Sequence, residues 1–243
     1  KAHYLNHFYL ITLVSFLLAL IPAHRAWSID ARRGGAGCAE GAPAWALWVL
    51  RVQFAIAYFY AGVAKINHDW IVRGEPLRAW MAGKSAIPLL GPWLTEEWVV
   101  RLMAYGGLLL DLFVAPALLW RRTRTVAFVV ATAFHLTNSV LFNIGVFHWF
   151  MIAATALFLD PDWPRRLLRG KRRSERIQTK QPASRARAGD LQLRDGARGS
   201  RQANPANLVV LLAYVAWQVL MPLRHYLYPG DVAWTEAGHR FSW

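Results

Sequence analysis

Cysteine is nearly absent from this chain, since Cys38 is the only one in 243 residues. One cysteine cannot form a disulfide within the chain, and it offers no thiol pair for redox chemistry or metal binding. The HExxH, GxSxG and glycine-rich phosphate-loop patterns are also missing. The histidines are few and widely separated, so we predict no metal site.

Acidic residues are scarce too, because 14 Asp and Glu stand against 28 Lys and Arg, a formal charge of +14. Such an excess suits nucleic acid or an anionic membrane. The bases lie mainly between apolar runs, in residues 24–43, 120–124 and the long stretch after Trp163. That distribution follows the positive-inside rule of membrane proteins. No aromatic residues interleave the bases of the long stretch, which argues against nucleic acid.

Apolar residues are abundant, at 56% of the chain, with 13 Trp. Soluble domains average about 45–50% apolar residues. Several apolar runs approach the ~20 residues needed to cross a bilayer. The sequence therefore predicts an all-α, polytopic transmembrane helical bundle of about six segments, over residues 4–23, 44–66, 99–119, 125–142, 144–159 and 207–223.

We divide the chain into three regions. Residues 1–169 form a membrane domain with the first five segments, and residues 206–243 hold the last helix and the start of an outer-face region. Residues 170–205 are poor in aromatic and branched apolar residues, which predicts a disordered basic cytoplasmic linker. Loop 67–98 then lies on the outer side, with a short amphipathic helix expected over residues 75–81.

Polar side chains inside the predicted segments gather in one half of the membrane. Any one of them alone could simply hydrogen-bond a neighbouring helix, worth about 0.6–2 kcal/mol, and Asp111 could pair with a base to hold the bundle together. A shared leaflet favours a pocket instead, and lysine and histidine among aromatic rings suit a planar lipophilic cofactor such as a quinone. The outer-half residues are His7, Lys65, His135, Asn138 and His148.

Lys65, at the end of the second segment, allows two interpretations. Its ammonium could be an interfacial anchor that reaches the headgroups. Alternatively, it could be a partly desolvated amine that acts as a base. The residue taken alone favours the anchor.

Four blocks of sequence resemble the vitamin K-dependent γ-carboxylases and their bacterial relatives, the HTTM membrane domain family. In chain order they are LNHFYL with AHRAWSID, AGVAKINHDW with GEPL, FHLTNSVLFNIGVFHWFMIAATALFLDPDWPRR, and PLRHYLYPGDVAWTEAGHRFSW. Four separated blocks in the same order are a more specific match than any single motif.

The resemblance implies an enzyme, a vitamin K-dependent γ-glutamyl carboxylase of the carboxy-lyase class. Such enzymes convert protein-bound glutamate to γ-carboxyglutamate with CO2, while O2 oxidises vitamin K hydroquinone to its epoxide. An enzyme lysine deprotonates the hydroquinone, whose reaction with oxygen yields a base strong enough to take the γ-proton of glutamate. A base of that strength requires a site from which water is excluded.

Carried over by position, the resemblance makes Lys65 the initiating lysine and His7 the histidine of the carboxylation step. These two are the predicted catalytic residues. The predicted cofactor-binding residues are Asn6, His135, Asn138 and Trp70. Ala64 stands where the animal enzymes carry a second lysine. The animal enzymes also have a disulfide and a large luminal domain; neither is visible here, and we expect a longer parent protein.

The expected partners are a glutamate-containing peptide or protein and membrane lipid, without nucleic acid. The expected location is the bacterial inner membrane, with the active side facing outward. The alternative function is a non-carboxylating quinol- or lipid-binding membrane domain of the same fold. A small-molecule transporter is a third possibility, against which the lack of internal repeats argues.

Overall fold

The computed structural model of the chain describes residues 6–22, 29, 43–161, 163 and 205–229. These residues form helices and turns without a strand, which confirms the predicted all-α class for this part. A π-helical turn covers Asp69–Arg73 and a 3-10 helix covers Met221–Leu227. The α-helices are α1 (Asn6–Leu20), α2 (Ala44–Ala64), α3 (Leu77–Ala82), α4 (Gly91–Leu94), α5 (Glu97–Leu119), α6 (Arg124–Leu141), α7 (Phe147–Ala156) and α8 (Pro205–Leu220).

The chain divides into two compact units. The larger comprises residues 1–159 with 215–243, and every contact discussed below lies within it. The smaller comprises residues 160–214, where the described residues include a turn closed by the Trp163 N–H on the Asp160 carbonyl at 2.8 Å. The predicted linker 170–205 lies outside the described residues except for its last position.

Two of the described helices, α2 and α5, are long and apolar enough to cross a membrane. α1, α7 and the stretch 209–224 are shorter apolar helices. Helices α1, α2, α5, α6, α7 and α8 correspond to the six predicted segments, and their ends lie near the predicted ones. Six complete membrane spans and a cytoplasmic basic loop stay predictions.

The connection between α6 and α7 is longer than expected. The sequence suggested a hairpin joined through Asn143 alone, whereas α6 ends at Leu141 and α7 begins at Phe147. Gly145 adopts a left-handed backbone with a φ of 60°, which interrupts the helical path. α7 therefore begins three residues after the predicted start of the fifth segment; it also ends three residues before the predicted end, and has 10 residues.

The segment between α2 and α5 packs against α5 as a cap with its own apolar core. The predicted amphipathic helix begins two residues later than expected, after Pro76, and ends at Ala82. Met81, which belongs to this helix, is completely buried. The core contains Leu77, Met81, Leu94, Val100, Ala104 and Leu141. Because this segment covers the first half of α5, the end of α2 meets α5 near its middle.

Arg51 joins α2 to the end of α7. Its guanidinium donates hydrogen bonds to the carbonyls of Leu157 at 2.9 Å and Leu159 at 3.1 Å. The same group lies 5.4 Å from the ring centre of Trp48 and 6.0 Å from that of Phe158. These bonds satisfy carbonyls that the end of a helix leaves without an intrahelical partner.

Candidate functional site

The centre of the candidate site is an ion pair between α2 and α5. Lys65 follows the last residue of α2, and its side chain folds back along that helix. Its Nζ donates to the carbonyl of Ala61 at 2.9 Å and to Oδ2 of Asp111 at 2.6 Å. The side chains are 20% and 8% exposed, so the pair is largely removed from solvent.

The position of Asp111 along α5 determines how deep this pair lies. At 1.5 Å per residue, Asp111 is about 21 Å from the start of α5 and about 12 Å from its end. The Lys65 ammonium therefore meets α5 well inside an apolar helix and does not extend toward either end of it. An ionisable group at that depth normally pairs with another group and marks a functional site, whereas an anchor extends toward the headgroups. The geometry favours the desolvated-amine interpretation.

A glycine allows α2 and α5 to approach closely beside the ion pair. A Cβ placed on Gly62 would lie 2.7 Å from the Leu112 side chain and 3.0 Å from the Leu112 backbone nitrogen. Contacts that short require the Leu112 side chain or its helix to shift. Gly62 thus sets the helix separation at which Lys65 reaches Asp111.

Trp70 covers the ammonium of Lys65 from the π-helical turn. The Nζ lies 5.2 Å from the centre of its ring, a cation–π contact. The indole N–H donates to the carbonyl of Ala104 at 2.9 Å, and the Trp70 backbone N–H donates to Oδ1 of Asn67 at 2.8 Å. Trp70 was predicted to bind a cofactor; the structure places its ring against the Lys65 ammonium, and the cofactor role stays a prediction.

A second buried contact joins α2 to α6. The Tyr58 hydroxyl and Nε2 of His135 lie 2.8 Å apart, with residues 3% and 5% exposed. Tyr58 was not predicted as a site residue. Its position two helical turns before Lys65, on the same face of α2, is the signal that could have revealed it.

A third group combines the start of α1 with the start of α7. Asn6 Oδ1, His7 Nδ1 and His148 Nε2 are buried without a hydrogen-bond partner in the part of the chain described. The His7 ring meets the edge of Phe147, with ring centres 4.4 Å apart. His148 directly follows Phe147 at the start of α7, next to this ring contact.

Asn138 is less directly involved. It is half-buried on α6, three residues after His135. Its backbone carbonyl accepts the N–H of Phe142 where the helix ends. No described contact joins its side chain to Lys65 or His135, so its cofactor-binding role stays a prediction. The described residues also hold no group of three His, Cys, Asp or Glu suited to a metal ion.

The ion pair thus joins the two described helices, α2 and α5, that are long and apolar enough to cross a membrane. Residues 1–163 match the HTTM domain, and residues 203–243 match the lumenal domain of the vitamin K-dependent gamma-carboxylase. The first match covers more than half of the chain, and the chain belongs to the HTTM domain family. The relationship to the γ-carboxylases indicated by the four sequence blocks is confirmed. No solved structure matches the chain.

Proposed function

We propose that this chain is the membrane part of a vitamin K-dependent γ-glutamyl carboxylase. The reaction would convert protein-bound glutamate to γ-carboxyglutamate, coupled to oxidation of vitamin K hydroquinone to its epoxide with O2 and CO2. The observation that carries the proposal is the buried Lys65–Asp111 pair, because its lysine is the one in the AKINHDW block. The two family matches support the same assignment.

The residues present fit a hydroquinone. Such a molecule combines an apolar ring with hydroxyl groups, and the site offers aromatic rings beside buried polar atoms that lack partners. His7 Nδ1 and His148 Nε2 are two such atoms, and the Phe147 ring lies against His7. When bound, reduced vitamin K supplies, by reaction with oxygen, the strong base that removes the glutamate γ-proton.

Lys65 and Asp111 would together manage the first proton. A proton that moves from Lys65 Nζ to Asp111 Oδ2 leaves a neutral amine, because a dry site favours uncharged forms. That amine accepts the proton of a hydroxyl at Nζ. Lys65, charged again, then stabilises the negative charge left nearby, and a low dielectric strengthens this attraction. In this scheme Asp111 positions the amine of Lys65 and accepts the proton that Lys65 releases.

His7 would serve the carboxylation step, the role that the family resemblance gives it. Its unpartnered Nδ1 can accept or donate a proton, as histidine does in general acid–base catalysis. Trp70 would keep water from the amine by covering it. In this proposal the active side faces outward from a bacterial inner membrane, and the substrate is a glutamate-containing peptide or protein.

The test is incorporation of labelled CO2 into a glutamyl peptide by membranes that contain the full chain and reduced vitamin K. We expect incorporation by the wild type and by Lys84→Ala, a lysine outside the ion pair, and loss of incorporation in Lys65→Ala. Equal activity in wild type and Lys65→Ala would refute the lysine base. A wild type that binds the quinol saturably but incorporates no CO2 would instead be a non-carboxylating quinol-binding domain.

A further inference from the structure

His148 carries a buried ring nitrogen that the protein leaves unused. The residue is 3% exposed in the first turn of α7, and its Nε2 has no hydrogen-bond partner in the described part of the chain. Gly145, with a left-handed backbone, lies three residues earlier, in the connection between α6 and α7.

Buried polar atoms without a partner are rare in folded proteins, and each calls for an explanation such as a water, an ion or a ligand. Here three of them come from the starts of two helices: Asn6 Oδ1, His7 Nδ1 and His148 Nε2. Asn6 Oδ1 can only accept a hydrogen bond. A neutral imidazole has one donor and one acceptor nitrogen. In the tautomer that carries its proton on Nδ1, Nε2 of His148 is an acceptor.

We propose that His148 is a ligand-binding residue whose Nε2 accepts a hydrogen bond from a phenolic hydroxyl of the bound quinol. The position supports this, because His148 directly follows Phe147, whose ring packs against His7, a histidine that the family resemblance assigned to the site. The inference rests on the proposed function and adds a residue to its quinol-binding surface.

The experiment measures binding of vitamin K1 hydroquinone to the full chain in lipid nanodiscs, kept anaerobic. His148→Phe and His148→Met replace the ring by apolar side chains of similar size. We expect both to weaken quinol binding by about tenfold or more, since a hydrogen bond and its geometry are lost. His148→Gln retains a polar acceptor and should restore much of the affinity. Trp149→Phe, at the adjacent position whose side chain is 60% exposed, is the matched control and should bind as the wild type does.

Thermal unfolding without ligand separates binding from structure. Replacing an unpartnered buried nitrogen by an apolar group should leave the ligand-free Tm at or above that of the wild type. The increase in Tm on adding quinol should shrink in both apolar variants. A variant with lowered ligand-free Tm and wild-type affinity would show a purely structural histidine and overturn the proposal.

The outcomes also separate this inference from carboxylation. Wild-type affinity in His148→Phe or His148→Met overturns the role of His148 and leaves the carboxylase proposal standing. Weakened binding without any CO2 incorporation by the wild type supports His148 and refutes the carboxylase. Absence of saturable quinol binding by the wild type refutes both.

Discussion

Lys65 Nζ lies 2.6 Å from Asp111 Oδ2, and this contact joins α2 to the interior of α5. A buried ion pair is weak evidence for stability, because desolvation of two charges offsets much of their attraction. Apolar side chains of similar volume would often hold two helices equally well. The pair therefore has a chemical purpose in our account, in which Asp111 orients the amine and receives its proton.

A double-mutant cycle on Lys65 and Asp111 tests that purpose. Lys65→Met and Asp111→Leu each leave an uncompensated buried charge, and each should lower the free energy of unfolding by about 3–5 kcal/mol. Lys65→Met/Asp111→Leu should recover most of that loss but no carboxylation. Purified protein in detergent supplies both the unfolding and the activity measurement.

Asp69→Asn is the control for the acid. Its carboxylate is 53% exposed and pairs with Arg73 on the surface, so stability should change by less than about 1 kcal/mol and activity should persist. Activity in the Lys65→Met/Asp111→Leu protein would show that the pair is only structural.

Tyr58→Phe removes the hydroxyl that contacts His135 and leaves a buried imidazole nitrogen without its partner. We expect a loss of about 1–3 kcal/mol in the free energy of unfolding. The carboxylation rate should fall by about tenfold or more, because the ring of His135 loses its orientation.

Tyr60→Phe is the matched control. Its hydroxyl donates to the Val219 carbonyl at 2.7 Å and is not in contact with His135. Stability should fall, while the rate per folded molecule stays near that of the wild type. Equal rates for Tyr58→Phe and Tyr60→Phe would remove Tyr58 from the site.

Gly62→Ala tests the close approach of α2 and α5. The added methyl group would overlap Leu112, so the helices must separate, at a cost of about 1–3 kcal/mol. The Lys65–Asp111 contact should lengthen, and carboxylation should fall with it. Gly106→Ala in α5 is the control, because a Cβ there meets nothing within 4 Å. Gly106→Ala should be neutral or slightly stabilising, because Ala has the higher helix propensity. The same change in stability in both variants would contradict a close approach at Gly62.

Arg51→Leu removes the bonds between α2 and the end of α7. Hydrogen bonds from a charged donor are worth about 1.5–3 kcal/mol each, and we expect a loss of about 2–4 kcal/mol measured by thermal or denaturant unfolding. Arg73→Leu deletes an arginine whose ion pair with Asp69 is exposed, so its effect should stay below about 1 kcal/mol. If Arg51→Leu were as mild as Arg73→Leu, the buried bonds would not stabilise α7.

Hydropathy alone predicted where the helices lie, because an apolar run of the right length has few other structures available in a membrane. It located α2 and α5 within two residues at each end. The length of α7 could not be predicted in the same way, since the left-handed backbone at Gly145 interrupts a continuous apolar run.

The partner of Lys65 was also beyond the sequence. Lys65 was predicted at the outer end of the second segment and Asp111 in the middle of the third. Those two positions correspond to different depths in the membrane. The cap that follows α2 covers the first half of α5, which brings the end of α2 to the middle of α5. The core of this cap combines residues as far apart along the chain as Leu77 and Leu141, and the sequence does not show that they meet. Tyr58 and Arg51 were not predicted to make interior contacts, because an aromatic or basic residue in an apolar helix also suits a lipid-facing or interfacial position.

The most direct test of the central claim is epoxide formation from vitamin K hydroquinone by the purified Lys65→Arg protein. Arginine preserves a positive charge beside Asp111 and therefore the ion pair, but it does not deprotonate at usable pH. We predict that Lys65→Arg folds with a Tm near that of the wild type and forms no epoxide above background. Epoxide formation at the wild-type rate would contradict the account, because it would show that Lys65 supplies charge and not a base.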